Sequence, residues 1–258
     1  MSKIDQIIND LTLEEKVSLL SGFNSWYTNK IDRKGIPSIK MSDGPNGVRG
    51  DSNSGKSSAC FPCAISISSS WDLDQVKKIG VALGEEAQAK DVDVLLGPTI
   101  NIHRHPLGGR HFESFSEDPF LTGKIASSYV QGVQSQNVAA CLKHFVGNDT
   151  EFERHSISSN IDEQTLREIY LLPFEIGVKE GNAKVVMSAY NKLNNIYCSS
   201  HQELLIDILK KEWGFDGYVV SDWGAALETE ENANGGLDLE MPGPGNVWGN
   251  ALIDAIKS

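Results

Sequence analysis

Long apolar runs are missing from this sequence. No stretch of about 18 apolar residues occurs, which argues against a membrane-spanning helix. The amino terminus, Met1-Ser-Lys-Ile-Asp-Gln6, lacks the apolar core of a secretion signal, so the chain is expected in the cytoplasm. Basic residues are few: 23 Lys and Arg stand against 35 Asp and Glu, a formal charge of −12. That balance argues against nucleic acid or an anionic membrane as partner, because both select basic patches. There are only four cysteines. Cys60-Phe-Pro-Cys63 has the spacing of a redox or zinc pair but no second pair completes a tetrahedral site, so Cys60, Cys63, Cys141 and Cys198 read as reduced thiols. His103-Arg-His105 lacks a third ligand at metal spacing, and no metal or cofactor is expected. No Gly-x-Gly-x-x-Gly or P-loop follows the first strand, which removes the usual nucleotide-binding reason for an open sheet.

What is present is an alternating pattern on a globular composition, 40% apolar and 22% charged over 258 residues. Ile4, Ile7, Ile8 and Leu11 share one helical face, and Thr12-Leu-Glu-Glu15 reads as a capping box leading into a second helix. Strands are predicted at Ile39–Met41, Ala64–Ser68, Val92–Leu96, Val138–Leu142, Lys184–Met187, Tyr218–Val220 and Leu237–Glu240. Helices are predicted at Asp74–Ala89, Thr122–Ser135, Glu163–Lys179 with a kink at Pro173, and Ser200–Trp213, the last opening on a capping box, Ser200-His-Gln-Glu203. Near-continuous apolar runs such as Val92-Asp-Val-Leu-Leu96 suit parallel strands covered on both faces. Alternating β and α means a parallel sheet, open or closed. The longest irregular segments, Asn24–Pro37, Ser42–Ser58, Asn101–Pro119 and Gly147–Ile161, are rich in polar residues and glycine, as binding loops and plain surface loops both are.

Nearly every strand ends on groups able to hold a polar ligand: Ser42-Asp43-Gly44, Pro98-Thr-Ile-Asn101, Lys143-His144, Ser188-Ala-Tyr190-Asn191, Ser221-Asp222-Trp223. A barrel gathers all such ends on one face, and about 250 residues suffice for one, so a single TIM-like (β/α)8 barrel over 1–258 is the expected fold. Asp222, at the end of Tyr218–Val220, occupies the place where catalytic groups sit in parallel α/β folds. On local sequence alone the favoured reading is the cap of a following helix, with Trp223 in the core, because strand-Asp-helix junctions are common.

The order of these motifs resembles glycoside hydrolase family 3, the β-glucosidase family, over essentially the whole chain. The resemblance is carried by Ser42-Asp43-Gly44-Pro45-Asn46-Gly47-Val48-Arg49-Gly50, Gly97-Pro98-Thr99-Ile-Asn101, Gly109-Arg110-His-Phe-Glu113-Ser-Phe-Ser-Glu117-Asp118-Pro119, Lys143-His144-Phe145, Met187-Ser-Ala-Tyr190-Asn191 and Gly217-Tyr-Val-Val-Ser221-Asp222-Trp223. It implies the amino-terminal barrel domain, with Asp222 as the nucleophile of a retaining, exo-acting β-glucosidase. Asp43, Arg110, Lys143, His144, Arg154 and Tyr190 would line the pocket for the terminal sugar, with Met187 and Trp223 as apolar walls. The residue types suit those roles. Sugar hydroxyls want carboxylate, guanidinium and imidazole partners, the ring's apolar face wants an aromatic, and nearby cations favour the ionised nucleophile. Small β-glucosides or cello-oligosaccharides would be the substrates.

Two departures qualify the resemblance. The family's N-acetylglucosaminidase branch carries a Gly-His pair and a downstream Asp-x-His after Lys-His-Phe; here the loop reads Val146-Gly-Asn-Asp149-Thr-Glu-Phe-Glu153-Arg154-His155, so the glucosidase branch is favoured. A retaining mechanism also needs a second, protonated carboxyl group about 5–5.5 Å from the first. In the β-glucosidase branch that acid/base comes from an α/β domain after the barrel, whereas this sequence stops at Lys257-Ser258. The barrel is therefore expected to be incomplete at its carboxyl end. A following α/β-sandwich domain or a complementary subunit is expected to supply the missing carboxyl, and without it the chain would bind sugar yet be inactive alone.

Overall fold

The computed structural model describes residues 2–50 and 56–258; residues 51–55 of the predicted Ser42–Ser58 loop lie outside the described residues. The chain opens on two short helices, α1 (Lys3–Asp10) and α2 (Leu13–Leu19). Both start on reciprocal capping boxes: Ser2 with Asp5, then Thr12 with Glu15, each hydroxyl accepting from the later backbone N–H while the carboxylate accepts from the cap's own. Five parallel strands follow in the order β1 (Met41–Ser42), β2 (Val94–Leu95), β3 (Ala139–Phe145), β5 (Val185–Ser188), β8 (Tyr218–Ser221). Between them run α3 (Ala64–Ser68), α4 (Leu73–Ala89), α5 (Pro119–Gln134), and α6 (Glu163–Thr165) continuing through a π-helical stretch, Leu166–Leu171, into α7 (Leu172–Lys179). A second π-helical stretch, Glu203–Glu212, precedes β8, and α8 (Thr229–Gly235) and α9 (Asn250–Lys257) close the chain. A small side sheet joins β4 (Ser158–Ser159) to the hairpin β6 (Lys192–Leu193) and β7 (Ile196–Tyr197). That hairpin turns on Asn194 and Asn195, both at positive φ, as a two-residue turn with the right twist requires.

Two corrections to the predicted elements follow from packing. Ala64–Ser68, expected as a strand from its Ile-Ser-Ile-Ser alternation, is helical; Ala64, Ile67 and Ser68 are its buried residues, and that spacing of three and four puts them on one helical face. At Ser200 no capping box forms: its hydroxyl donates to the Glu228 carboxylate, and Nδ1 of His201 accepts from the Leu204 N–H at 3.3 Å instead.

The apolar residues separate into two bodies according to the pleat. Met41, Val94, Leu96, Cys141, Val185, Met187, Val220, Leu239 and Met241 fill the concave side of the curled sheet. Their strand neighbours Leu95, Ala140, Leu142, Val186 and Val219 face outward into the larger core beneath the helices. α4 and α5 meet where side chains are absent: a Cβ on Gly80 would lie 2.5 Å from the Tyr129 carbonyl oxygen, and one on Gly132 would lie 2.3 Å from that of Lys77.

Beyond β8, single backbone bridges carry the ring onward. Val220 pairs with Leu239, Glu240 with Ser21, Gly22 with Thr28, and Tyr27 with Lys40 beside β1. Among the described residues the ring therefore joins back on itself, but with one antiparallel stave at 27–28 in place of a full set of β/α units. Glu240 holds this closure. It is 3% exposed, and its carboxylate accepts from the backbone N–H groups of Asn246 (2.7 Å), Val247 (3.0 Å) and Trp248 (3.1 Å) and from the Ser21 hydroxyl (3.3 Å). Each bond to a charged acceptor contributes about 1.5–3 kcal/mol, and orphaning buried donors costs more. Glu240→Ala should accordingly lower unfolding stability by at least about 3 kcal/mol in urea titration, with Glu240→Gln intermediate.

The loop after β3 folds Asp149 inward beside Arg104, which hydrogen-bonds the Tyr170 hydroxyl. Burial pushes the Asp149 carboxyl up to about 7, with Arg104 pulling it back only in part. Its Oδ1 is buried with no hydrogen-bond partner among the described residues. Between 3.8 and about 7 the folded state therefore keeps a proton that the unfolded chain releases, so stability falls as pH rises through that window. Asp149→Asn is expected to raise Tm at pH 8 and leave it unchanged near pH 4, as measured by calorimetry.

Candidate active site

The strand ends converge on one mouth of the ring. Asp43 follows β1, Lys143 and His144 lie within β3, Tyr190 follows β5, and Asp222 follows β8 directly. Lys143 keeps the inward register of Ala139 and Cys141, which is why a lysine reaches the pocket from a buried strand. Arg110 comes from the loop before α5 and Arg154 from the loop after β3.

Asp222 caps no helix. The next one, α8, begins at Thr229 after Glu228. The Asp222 backbone instead stays in the sheet, its N–H donating to the Ser188 carbonyl at 3.1 Å, and the chain then turns away at Gly224, whose φ of 84° is open to glycine. Its side chain is fixed by one oxygen: Oδ1 accepts from the Trp223 N–H at 2.7 Å, whereas Oδ2 is buried and has no hydrogen-bond donor among the described residues. Burial raises the Asp222 carboxyl, and the Trp223 N–H, Lys143, Arg110 and the Tyr190 side chain oppose the rise.

The cations around it are held in turn. Lys143 Nζ lies 3.4 Å from Asp43 Oδ1, and Arg49 reaches Asp43 Oδ2 at 3.3 Å. Arg110 hydrogen-bonds Glu113, lies 3.9 Å from Glu151, and approaches His144 Nε2 at 3.4 Å. Burial works against the Arg110 charge, but Glu113, Glu151 and Asp222 outweigh it and raise the group further. Arg154 bonds Glu151 at 2.7 Å and stacks on the Tyr190 ring, 4.7 Å from its centroid. His144 is driven well below the ordinary imidazole range by burial, then by Arg110, Lys143 and Arg154. It is neutral at physiological pH, so its 3.5 Å approach to Asp222 Oδ2 is not an ion pair.

The apolar wall is a tilted pair, Trp26 and Trp223, with ring centroids 5.4 Å apart. The Trp223 indole N–H donates to the Ser25 carbonyl at 2.9 Å, and the Tyr190 hydroxyl donates to the Trp223 carbonyl at 2.9 Å. Met187, 2% exposed, sits deeper on the concave side. Acceptors, donors and a flat aromatic face at one opening suit an uncharged, polyhydroxylated ring better than an anion or a metal. Among the described residues no group of three or more His, Cys, Asp or Glu gathers as a metal site, and no helix is long and apolar enough to cross a membrane.

The structure thus brings Asp43, Arg110, Lys143, His144, Arg154, Tyr190, Asp222 and Trp223 around one opening, with Met187 beneath. It adds residues that the sequence left without a role. Arg49, six positions after Asp43 in the same motif, pairs with that carboxylate. Glu151, in the Gly147–Ile161 loop, bridges the two arginines. Trp26 joins the wall because its hairpin closes the ring, whereas Trp71 is 75% exposed.

The description "Glycosyl hydrolase family 3 N terminal domain" matches residues 2–240. A β-glucosidase of Rhizobium radiobacter is 54% identical over 256 residues, covering 98% of this chain and 31% of that protein. Thermostable β-glucosidase B of Acetivibrio thermocellus is 49% identical, with 99% and 35% covered. Among solved structures, β-glucosidase from Kluyveromyces marxianus in complex with glucose superposes with a TM-score of 0.96 at 46% identity, over 99% of this chain and 31% of that one. β-Glucosidase 3B from Thermotoga neapolitana in complex with α-D-glucose gives 0.94 at 41% identity, over 99% and 40%. The chain spans about a third of the length of the curated relatives it matches. With the family's barrel domain matched along nearly all of its length and the strand ends gathered as that domain requires, the chain belongs to glycosyl hydrolase family 3.

Proposed function

We propose that this chain is the nucleophile-bearing part of a retaining β-glucosidase acting on terminal, non-reducing glucosyl residues. The observation that carries the reading is the asymmetry of Asp222: Oδ1 is tethered by the Trp223 N–H and Oδ2 is bare, buried and set among Lys143, Arg110 and His144. An oxygen stripped of donors where the strand ends converge is a nucleophile already desolvated. Oδ2 attacks the anomeric carbon as the bond to the departing oxygen breaks, giving a glycosyl-aspartate ester that water later cleaves. Asp43, Lys143, Arg49 and Arg110 take the hydroxyls, and the Trp26–Trp223 wall takes the apolar ring face. The glucose complexes of two relatives support glucose as the bound sugar.

Among the described residues three carboxylates near Asp222 are committed to cations: Asp43 to Lys143 and Arg49, Glu113 to Arg110, Glu151 to Arg154. None of these three stands free to protonate a leaving group. In this reading the acid/base carboxyl comes from a further domain or a partner subunit, and the chain by itself binds sugar without turning over natural glycosides.

A 2,4-dinitrophenyl β-glucoside isolates the first step, because its leaving group departs without a proton. Intact-mass analysis should show one glucosyl unit on the wild-type chain and none on Asp222→Asn; an unmodified, well-folded wild type would sink the proposal. The labelling rate should rise with pH as Asp222 ionises, with a midpoint above the ordinary 3.8. Lys143→Met removes a cation that favours the Asp222 carboxylate, so it should move that midpoint upward. It should also weaken glucose binding about 10- to 100-fold in calorimetric titration, the loss of one bond to a charged group.

A further inference from the structure

Asn101 approaches His144 in three places. The Asn101 side-chain N–H donates to the His144 carbonyl at 2.8 Å, and its Oδ1 accepts from the His144 backbone N–H at 2.9 Å. Those two bonds settle which end of the amide is oxygen, since a backbone carbonyl only accepts and a backbone N–H only donates. The same Oδ1 lies 3.1 Å from His144 Nδ1. An oxygen that already has no proton to give can meet Nδ1 only as N–H. In a neutral imidazole one nitrogen carries the proton and the other a lone pair, so Nε2 is left bare. Nε2 is the nitrogen that faces the pocket, 3.4 Å from the Arg110 guanidinium and 3.5 Å from Asp222 Oδ2.

We infer that Asn101 is a positioning residue that locks His144 in its Nδ1–H tautomer, so that His144 presents a lone pair, not an N–H, to the pocket and to the nucleophile. The consequence for Asp222 is direct. With Nε2–H, His144 would bring a proton to within reach of Oδ2 at 3.5 Å and blunt the attacking oxygen; with a lone pair there, it brings none. Arg110 fits the same assignment, because a guanidinium has only donors and needs an acceptor at Nε2. His144 Nε2 is then an acceptor at the mouth of the ring, and the Arg110 guanidinium is the donor that meets it. This inference rests on the glycosidase reading for its purpose, but the tautomer itself does not.

Its test reads the ring directly. The full chain is labelled with 15N-histidine, and the His144 resonances are identified among six histidines by their loss in His144→Phe. At pH 7 the wild type should show a pyrrole-like Nδ1 and a pyridine-like Nε2. Asn101→Ala should abolish that pattern, giving averaged or reversed shifts. A pyrrole-like Nε2 in the wild type overturns the inference without any variant having to fold, and an unchanged pattern in folded Asn101→Ala overturns the part given to Asn101. The glucosyl-adduct experiment is independent: labelling at Asp222 alongside a pyrrole-like Nε2 would leave the nucleophile in place and remove the lock.

Discussion

A curled sheet must account for the backbone at both of its edges, and in this protein the pocket depends on how that is done. β1 and β8 are the ends of the parallel ladder. Left unpaired they would expose rows of N–H and C=O groups and let the curl open. The segment from Ser21 to Thr28 fills the gap through single bridges, and Glu240 fastens it by accepting from three backbone amides and Ser21. The strand ends face one another only because this joint holds. The hairpin that makes it also carries Trp26 into the pocket wall, so architecture and ligand surface share the same few residues.

Inside the mouth the governing difficulty is buried charge. Asp222, Lys143 and His144 are each less than a tenth exposed. Isolated ions would not survive there, since desolvation favours the neutral form. The site resolves this by alternation: Asp43 between Lys143 and Arg49, Glu113 and Glu151 on Arg110, Glu151 again on Arg154. His144, surrounded by cations, gives up its own charge. Asp222 Oδ2 is left out of this pairing among the described residues, and it is the oxygen that the proposed function makes the nucleophile.

How much of this could be read from the sequence depends on how local the cause is. The capping box at Thr12, the covered strands and the polar residues at their ends are written in neighbouring residues, and Asp222 stood out because a strand runs straight into it. The helix at Ala64–Ser68 was misread because five residues fit period two almost as well as period three or four, and only the face that gets buried decides. Asn24–Pro37 gave no strand signal at all: isolated bridges are made by backbone groups and impose no side-chain pattern. Asn101 and Glu151 were visible as polar loop residues, but their meaning lies in partners 43 residues away in one case and in the two arginines that Glu151 spans in the other.

The joint at Ser21 and Glu240 links positions 219 residues apart. During synthesis from the amino terminus, the first stave of the ring leaves the ribosome long before its partner exists. The ring can close, and the aromatic wall can swing into place, only after almost every other strand is already paired. Loop closure over that distance comes late and slows folding. The pocket is therefore among the last features to form, and a nascent chain arrested before Glu240 would hold most of the core yet no complete pocket.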